Sequence, residues 1–302
     1  MFVSFVKYRK IFYVFSLILT IASIVSVGVF GLKWGIDFTG GSSLEFSYQK
    51  QAPQQAVISE KLSSLGLGDF SLQQSGPNDF ILKTKNVDEA THQAIVAQLK
   101  SLGDFNEGSQ SFQSIGPAVG AELRNKTQIV AILAILGILI YIAVSFSKIT
   151  RPVKSYVFGL SGVVALIHDI IIPIGVFAVL GRFLGAEITI PFITAMLTVF
   201  GYSINDSVVV FDRLRENLLK SHASNFALAV DESLNQTVGR SINTSLTVLI
   251  TLFAIFFFGG ETLRYFALAL ILGVGFGTYS SIFIATLLLY SFHQWQEKRK
   301  LG

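Results

Sequence analysis

The sequence predicts a polytopic α-helical membrane protein with six transmembrane helices and one extracytoplasmic α+β domain of ferredoxin-like topology. Hydrophobic residues make up 51% of the chain and charged residues only 14%, whereas soluble domains carry about 25% charged residues. Six apolar stretches are long enough to cross a hydrocarbon core about 30 Å thick. Between the first two stretches, one polar block has the order β-α-β-β-α-β, which is that of a ferredoxin-like unit.

The apolar stretches are bounded by charged residues. The first lies between Lys10 and Lys33. It is longer than the core of a signal peptide, and no small-residue cleavage site follows it, so we expect an uncleaved anchor. The others lie between Lys126 and Lys148, Lys154 and Arg182, Glu187 and Asp212, Arg240 and Glu261, and from Arg264 to Phe292.

Basic residues collect in the short loops on one side of the predicted membrane. These are Lys7, Arg9, Lys10, Lys148, Arg151, Lys154, Arg213, Arg215, Lys220, Arg240, Lys298, Arg299 and Lys300, against only Arg182 and Arg264 on the other side. By the positive-inside rule, both termini are therefore cytoplasmic. The predicted parts are residues 1–32 (cytoplasmic N-terminus and first helix), 33–126 (outer domain), 127–292 (second to sixth helices) and 293–302 (cytoplasmic tail).

The outer domain shows the pattern of each strand and helix in turn. A strand is predicted from Ser43 to Tyr48, followed by a helix in PQQAVISEKLSSLG. DFSLQQSGPNDFILKT reads as two short strands about a Gly-Pro-Asn-Asp turn, which indicates a hairpin. NVDEATHQAIVAQLKSLG has the spacing of an amphipathic helix, and DFNEGSQSFQSI supplies the last strand.

A second amphipathic pattern lies in the cytoplasmic connection, residues 212–240. From Phe226, the apolar residues Val230, Leu234 and Val238 recur every four positions, with polar residues between them. This spacing predicts an amphipathic helix that lies along the membrane surface or against a partner.

Two polar residues interrupt the fourth apolar stretch. Asn205 and Asp206, in GYSINDSVVVFDR, fall inside the predicted membrane. A carboxylate there costs at least about 2.5 kcal/mol, so it must be neutralised by a proton or a partner, and such groups are functional by default. The alternative is that both residues only hold helices together by hydrogen bonds.

Arg240, at the start of the fifth helix, is a candidate partner for Asp206. Both residues fall in the cytoplasmic third of the predicted membrane. A guanidinium favours the ionised form of a nearby carboxyl group, whereas a dry apolar site favours the neutral form. Movement of Arg240 toward or away from Asp206 would therefore eject or load a proton. The alternative is that Arg240 is only a positive-inside anchor.

Two further features mark the third and sixth helices. His168 and Asp169 lie near the middle of the third helix and offer either a second titratable step or a buried pair that ties helices together. Gly273 and Gly277 form a GxxxG pair that permits close helix approach, with Ser280 and Ser281 placed to bond across the interface.

Several function classes lack their motifs. The chain has no cysteine and four histidines, and it contains no phosphate-cradling loop, HExxH or nucleophile elbow. We therefore expect no enzymatic activity, no cofactor, no metal and no nucleic-acid partner. The energy for any work must come from elsewhere than nucleotide hydrolysis on this chain.

Five segments together resemble the SecF family of protein-export membrane proteins. They are WGIDFTGG, SIGPAVGAELRNK, ALIHD, GYSINDSVVVFDRLREN and SLNQTVGRSINTS, in the family's order and over nearly the whole chain. The resemblance implies membership of the RND superfamily, in which twelve helices form two pseudo-symmetric halves. This chain would be one half, and its glycine-rich faces would meet SecD.

The resemblance also implies a function and a setting. SecF-like proteins act with SecD beside the SecYEG channel, where proton motive force promotes late-stage translocation and release of unfolded preprotein. A YajC-type small subunit is a further expected partner, and the bacterial cytoplasmic (inner) membrane is the expected location. The lipid bilayer itself surrounds the helices.

In that family an aspartate of the fourth helix and an arginine of the fifth take part in proton conduction. The matching positions are Asp206 in GYSIND and Arg240 in QTVGR. We expect Asn205 to hydrogen-bond to Asp206, and His168 and Asp169 to extend the relay. Two alternatives are half of an RND-type exporter of small molecules or lipids, and a non-conducting assembly scaffold of the translocon.

Overall fold

The computed structural model of this chain describes residues 2–145, 153, 155–220 and 225–301. Within these residues, six helices are long and apolar enough to cross a membrane: Phe5–Phe30, Pro117–Ile142, Tyr156–Leu184, Ile190–Leu219, Phe226–Phe258 and Leu263–Arg299. Lys148, Arg151 and Lys154, which contributed to the predicted orientation, lie outside the described residues.

The secondary structure follows the predicted order. The helices are α1 (Phe5–Phe30), α2 (Ile36–Thr39), α3 (Gln55–Ser63), α4 (Glu89–Lys100), α5 (Pro117–Ser145), α6 (Ser155–Leu184), α7 (Ile190–Lys220), α8 (Phe226–Phe258), α9 (Glu261–Ser280) and α10 (Thr286–Leu301). The strands are β1 (Gly41–Ser47), β2 (Ser71–Gln74), β3 (Asp79–Thr84) and β4 (Ser111–Ile115). A π-helical turn, Ser281–Ala285, joins α9 to α10.

Two compact units share these elements. A helical unit comprises residues 1–33 and 130–302, and a sheet unit comprises residues 34–129. The first turns of α5 belong to the sheet unit and the rest of α5 to the helical unit.

The sheet unit has the predicted topology. Its four strands are antiparallel in the order β2-β3-β1-β4, and Leu44 lies opposite Leu82, and Phe46 opposite Phe80. Every second side chain of β1 and β3 enters one core with α3 and α4, because successive strand residues point to opposite faces. The core residues are Leu44, Phe46, Tyr48, Ile58, Leu62, Leu67, Leu72, Phe80, Leu82, Ile95, Val96, Leu99 and Phe105. The predicted class, six apolar membrane-length helices with one small α+β domain, is confirmed.

Glycines allow the two connecting segments of the sheet unit to touch. Gly40 has φ +72° and Gly41 φ +139°, a region that favours glycine. A Cβ on Gly40 would lie 2.8 Å from Pro117 Cα, and one on Gly120 would lie 2.9 Å from the Gly40 nitrogen. The WGIDFTGG and SIGPAVG segments therefore meet backbone to backbone, which explains their glycines. The short helix α2 within the first segment was not predicted.

In the helical unit, α9 packs against α6, α7 and α8, while α1 packs along α6. Small side chains let α1 and α6 approach closely, since a Cβ on Gly175 would lie 2.3 Å from Ser23 Cβ. Helix α5 contributes Ile142, which is buried beside Gly159 and Gly162. Most of the other described α5 side chains in this unit are exposed.

The predicted surface helix after the fourth span needs correction. Residues 226–240 are the first half of α8, which continues without a break through the fifth span. Their apolar face packs within the chain, where Phe226 stacks on Tyr290 and Asn217 of α7 donates a hydrogen bond to Ser233. A four-residue apolar repeat predicts a buried face, but it does not say whether lipid or protein covers that face.

The same half of α8 holds the start of α1. Asp231 accepts hydrogen bonds from the Val6 N–H at 2.9 Å and from the Ser4 hydroxyl at 2.7 Å, one on each carboxylate oxygen. Asn235 adds two bonds to the backbone of Val3. Because the first N–H groups of a helix have no partner within it, Asp231 serves as an N-cap supplied by another helix.

We expect Asp231→Ala to lower the free energy of unfolding by about 1–3 kcal/mol, because it leaves the buried Val6 N–H without an acceptor. Amide hydrogen exchange in the first turn of α1 should rise at the same time. Glu232→Ala, at the next and half-buried position, is the matched control and should leave that exchange unchanged. Wild-type exchange at Val6 in the Asp231→Ala chain would contradict this assignment.

Candidate functional site: carboxyl groups inside the helical unit

Asp206 lies on the side of α7 that meets α8. Its Oδ1 accepts a hydrogen bond from the Ser241 hydroxyl at 2.5 Å. Its Oδ2 is buried and is hydrogen-bonded to none of the described residues. A buried ionised carboxylate needs partners for both oxygens. The geometry therefore leaves room at Oδ2 for a proton.

Arg240 precedes Ser241 on α8, so it lies one residue from the serine that contacts Asp206. The contact is made by the serine hydroxyl, however, and not by the guanidinium. The Arg240 side chain is exposed, and no ion pair joins it to Asp206 among the described residues. The arginine thus stands near the carboxyl group without neutralising it.

Asn205 does not make the predicted hydrogen bond to Asp206 in the described part of the chain. It lies on an exposed part of α7, whereas Asp206 is half-buried. Neighbouring residues of an α-helix point in directions about 100° apart and do not face each other. Adjacency in the sequence was therefore a poor guide to this contact.

His168 and Asp169 form a buried centre in the middle of α6. His168 Nδ1 lies 2.9 Å from Asp169 Oδ1, and His168 Nε2 lies 2.9 Å from the Ser16 hydroxyl of α1. The hydroxyls of Ser203 on α7 and Ser280 on α9 each donate to Asp169 Oδ2 at 2.6 Å. Three helices thus meet at the Asp169 carboxyl group, and α1 joins them through His168.

The two carboxyl groups differ in how completely they are hydrogen-bonded. Asp169 has contacts on both oxygens, from His168, Ser203 and Ser280, and is fully buried. In the part of the chain that the structure describes, Asp206 has a hydrogen bond on Oδ1 and none on Oδ2. Removing His168 would leave the buried Oδ1 without its described partner, which costs about 1–3 kcal/mol, whereas Oδ2 has two donors. Asp169 is therefore fixed in place, whereas Asp206 keeps capacity for a further proton or partner.

Hydroxyl groups occupy the space between the two centres. Ser207, one residue after Asp206, lies 2.9 Å from the Ser281 hydroxyl. Ser245 accepts from the Tyr202 hydroxyl at 2.9 Å and also contacts Thr278. Of these hydroxyl residues, only Ser281 was singled out from the sequence. A usable signal was present, because Ser203 and Ser207, like Ser241 and Ser245, are four residues apart and share a helix face.

Gly273 and Gly277 bring α9 against α7 of the same chain. A Cβ on Gly273 would lie 2.1 Å from Val199 Cγ2, and one on Gly277 would lie 3.2 Å from Ser203 Cβ. The expectation that this face would meet the partner protein is wrong for these two glycines. The GxxxG spacing predicts close packing correctly, but it does not identify the helix that is packed against.

Metal-binding geometry is not found at these centres. Across the described ranges, no three His, Cys, Asp or Glu side chains converge on a point that could hold an ion. The chemistry available here is hydrogen bonding and proton transfer among carboxyl, imidazole and hydroxyl groups.

Comparison with known families matches most of the chain. The model for "Protein export membrane protein SecD/SecF, C-terminal" matches residues 94–295, and the model for the SecD/SecF GG motif matches residues 25–52. The second match contains Gly40 and Gly41, the glycines of the connecting segment described above.

Individual relatives give the same result. The chain is 39% identical to protein translocase subunit SecF of Thermobaculum terrenum, over 98% of this chain and 95% of that protein. It is 36% identical to protein translocase subunit SecF of Haemophilus influenzae, over 95% of this chain and 85% of that protein.

A solved structure shares the fold. The crystal structure of SecDF, a translocon-associated membrane protein from Thermus thermophilus, matches 97% of this chain with a TM-score of 0.82 and 31% identity. The chain spans 39% of that longer protein. With a family model that covers most of its length and relatives matched almost end to end, this chain belongs to the SecD/SecF family of protein-export membrane proteins.

Proposed function

We propose that the chain is the SecF-type subunit of a SecD–SecF accessory complex of the Sec translocase, and that it uses proton motive force to promote late-stage preprotein translocation and release. The observation that carries the proposal is the Asp206 carboxyl group, in which Oδ1 accepts a hydrogen bond from Ser241 and the buried Oδ2 accepts none from the described residues. A purely structural carboxylate would have both oxygens occupied, as Asp169 does.

A second SecD-type half is the proposed partner. The matched SecDF protein is one chain of which this chain spans 39%. The rest of the SecDF chain is long enough to contain the other six-helix half of a twelve-helix unit. The exposed apolar side chains of α5 and α1 supply surface for lipid and for such a half.

The proposed orientation places residues 33–126 outside the bacterial cytoplasmic membrane and both termini in the cytoplasm, as the distribution of lysine and arginine indicates. The outer sheet unit would then act on preprotein that leaves the SecYEG channel. The Asp206–Ser241 contact would lie in the cytoplasmic part of the membrane.

The proposed cycle has two states of Asp206. With a proton on Oδ2, the carboxyl group is neutral and Ser241 satisfies Oδ1. After the proton leaves, the carboxylate attracts the Arg240 guanidinium, which has no ion pair in the described residues, and α8 moves with it. One charge crossing 100 mV provides about 2.3 kcal/mol, which biases a two-state equilibrium roughly fifty-fold.

The His168–Asp169 pair has a different proposed role within this cycle. Its hydrogen bonds to Ser16, Ser203 and Ser280 favour the second of the two roles left open by the sequence, that of tying helices together. It would hold α1, α6, α7 and α9 as one body against which α8 moves. This division assigns one carboxyl group to proton transfer and the other to packing.

Reconstitution tests the proposal. The chain and its SecD partner, placed together in proteoliposomes with an imposed proton gradient and a fluorescent pH indicator inside, should conduct protons. Liposomes with the partner alone give the background. A scaffold would give flux equal to that background at every gradient, and such a result would overturn the proposal.

A further inference from the structure

The sixth span contains a π-helical turn at the level of the two carboxyl groups. Residues Ser281–Ala285 form the turn, and the Thr286 hydroxyl donates to the Ser281 carbonyl, five residues earlier, at 3.1 Å. π turns are rare and occur frequently at functional sites, because they shift the register of the following helix. The turn is buried among α6, α7 and α9.

Two consecutive serines at the start of this turn face different carboxyl groups. Ser280 donates to Asp169 Oδ2 at 2.6 Å. Ser281 approaches the other carboxyl group, because its hydroxyl lies 2.9 Å from that of Ser207, the residue after Asp206 on α7. The α9–α10 junction therefore contacts the packing centre with one residue and approaches the proton site with the next.

The Ser281 hydroxyl has more acceptors around it than it can serve. It lies 2.9 Å from the Gly277 carbonyl, 3.2 Å from the Ser203 carbonyl and 2.9 Å from the Ser207 hydroxyl. A serine hydroxyl has a single hydrogen to donate. Asp206 directly precedes Ser207, and its buried Oδ2 has no hydrogen bond from the described residues. It is therefore a candidate further acceptor for that hydrogen once the carboxyl group is ionised.

We infer that Ser281 is a positioning residue for the proton step at Asp206, an inference that rests on the proposed function. When Asp206 loses its proton, the Ser281 hydroxyl turns from the carbonyls of Gly277 and Ser203 and donates to Asp206 Oδ2. When Asp206 gains a proton, the hydroxyl returns to those carbonyls. Only hydrogen bonds are exchanged, and the proton that moves is the one on Asp206.

The charged or titratable groups near Ser281 and Asp206 come from neighbouring helices. Helix α8 contributes Arg240, and α6 contributes His168 and Asp169. Tyr279 of α9 is directed to α1, where its hydroxyl donates to the Phe12 carbonyl. In the described stretch from Thr278 to Ala285, the polar side chains of α9 and the π turn all carry hydroxyl groups. A change at Ser281 thus alters hydrogen bonding to Asp206 without altering the charge around it.

The test measures the pH profile of proton flux in proteoliposomes that contain the full chain and its partner. Ser281→Ala removes a hydrogen bond that exists only to the ionised carboxylate, so proton release becomes harder. We expect the profile to move to higher pH by about one unit, the equivalent of one hydrogen bond to a charged group. The thiol of Ser281→Cys is a weaker donor than the hydroxyl, so this variant should give a smaller shift in the same direction. It provides a second measurement in case the alanine variant does not fold.

Ser291→Ala is the matched control. Ser291 lies further along the same helical run, in α10, and contacts the Tyr13 hydroxyl at 3.0 Å instead of a carboxyl group. Its profile should equal that of the wild type. If wild-type flux is present but the Ser281→Ala and Ser281→Cys profiles coincide with it, the inference fails while the proposed function stands. If the wild type itself conducts no protons, the proposed function fails.

Discussion

Asp206→Asn is expected to abolish proton-dependent preprotein export while leaving the chain folded and bound to its partner. Asparagine has nearly the same volume, and its carbonyl oxygen can still accept the hydrogen bond from Ser241 that Asp206 Oδ1 accepts at 2.5 Å. It cannot gain or lose a proton in the working range of pH. A gradient of 100 mV acting on one charge can bias a two-state equilibrium roughly fifty-fold. The increase in export rate that the gradient produces in the wild type should therefore disappear in this variant.

The measurement is export of a labelled preprotein by inverted membrane vesicles, with and without a proton gradient. Asp212→Asn is the matched control on the same helix, because the Asp212 side chain is 71% exposed and its nearest cation, Arg215, lies 3.9 Å away. That variant should export at the wild-type rate. Asp206→Glu keeps an ionisable group one methylene further out and should retain part of the activity. Normal gradient-dependent export by Asp206→Asn would exclude Asp206 from the relay.

Gly273→Ala is expected to destabilise the helical unit, whereas Gly275→Ala is expected to stabilise it or leave it unchanged. A Cβ on Gly273 would lie 2.1 Å from Val199 Cγ2 and 2.9 Å from Cγ1, so the helices must separate or Val199 must move. Overpacking of this kind costs about 1–3 kcal/mol. A Cβ on Gly275 meets nothing within 4 Å, so only the helix propensity changes, by up to about 1 kcal/mol in favour of alanine.

Thermal unfolding of the purified chain in detergent measures the difference between these two variants. The double variant Gly273→Ala with Val199→Ala should recover part of the loss, since the Cγ atoms are removed while Val199 Cβ, at 3.0 Å, remains close. Separation of α9 from α7 should also weaken the Ser203 and Ser280 bonds to Asp169. Equal stability of the two single variants would show that α9 does not pack on α7 through Gly273.

The fold of the sheet unit was the part most accessible to prediction. The alternation in β1 and β3 and the hairpin turn predicted the sheet, and the amphipathic spacing of Glu89–Lys100 predicted α4. These are local patterns, in which each residue's neighbours along the chain determine its structure. Helix α2 was missed because a four-residue helix is too short to show a period.

The candidate site was only partly predictable. Polar residues inside apolar stretches stand out, so Asp206, Asp169 and His168 could be identified without a structure. Their partners could not, since Ser280 is 111 positions from Asp169 and Ser241 is 35 positions from Asp206. Serines are common and carry no charge, so a four-residue spacing indicates a polar helix face but does not identify the carboxyl group that this face meets.

The amino-acid sequence by itself determined that the chain spans a membrane six times, that a small α+β domain follows the first span, and which intramembrane residues are ionisable. Hydropathy and periodicity are properties of contiguous segments, which is why these features can be read directly. Only the tertiary structure decided that Gly273 packs against Val199 and that α8 continues through its amphipathic half. It also decided that, among the described residues, both Asp169 oxygens have hydrogen-bond partners whereas Asp206 Oδ2 has none. Those outcomes depend on how each helix is rotated about its axis relative to its neighbours. The π turn at Ser281–Ala285 adds to this, because it rotates every later residue of the sixth span to a different face of the helix.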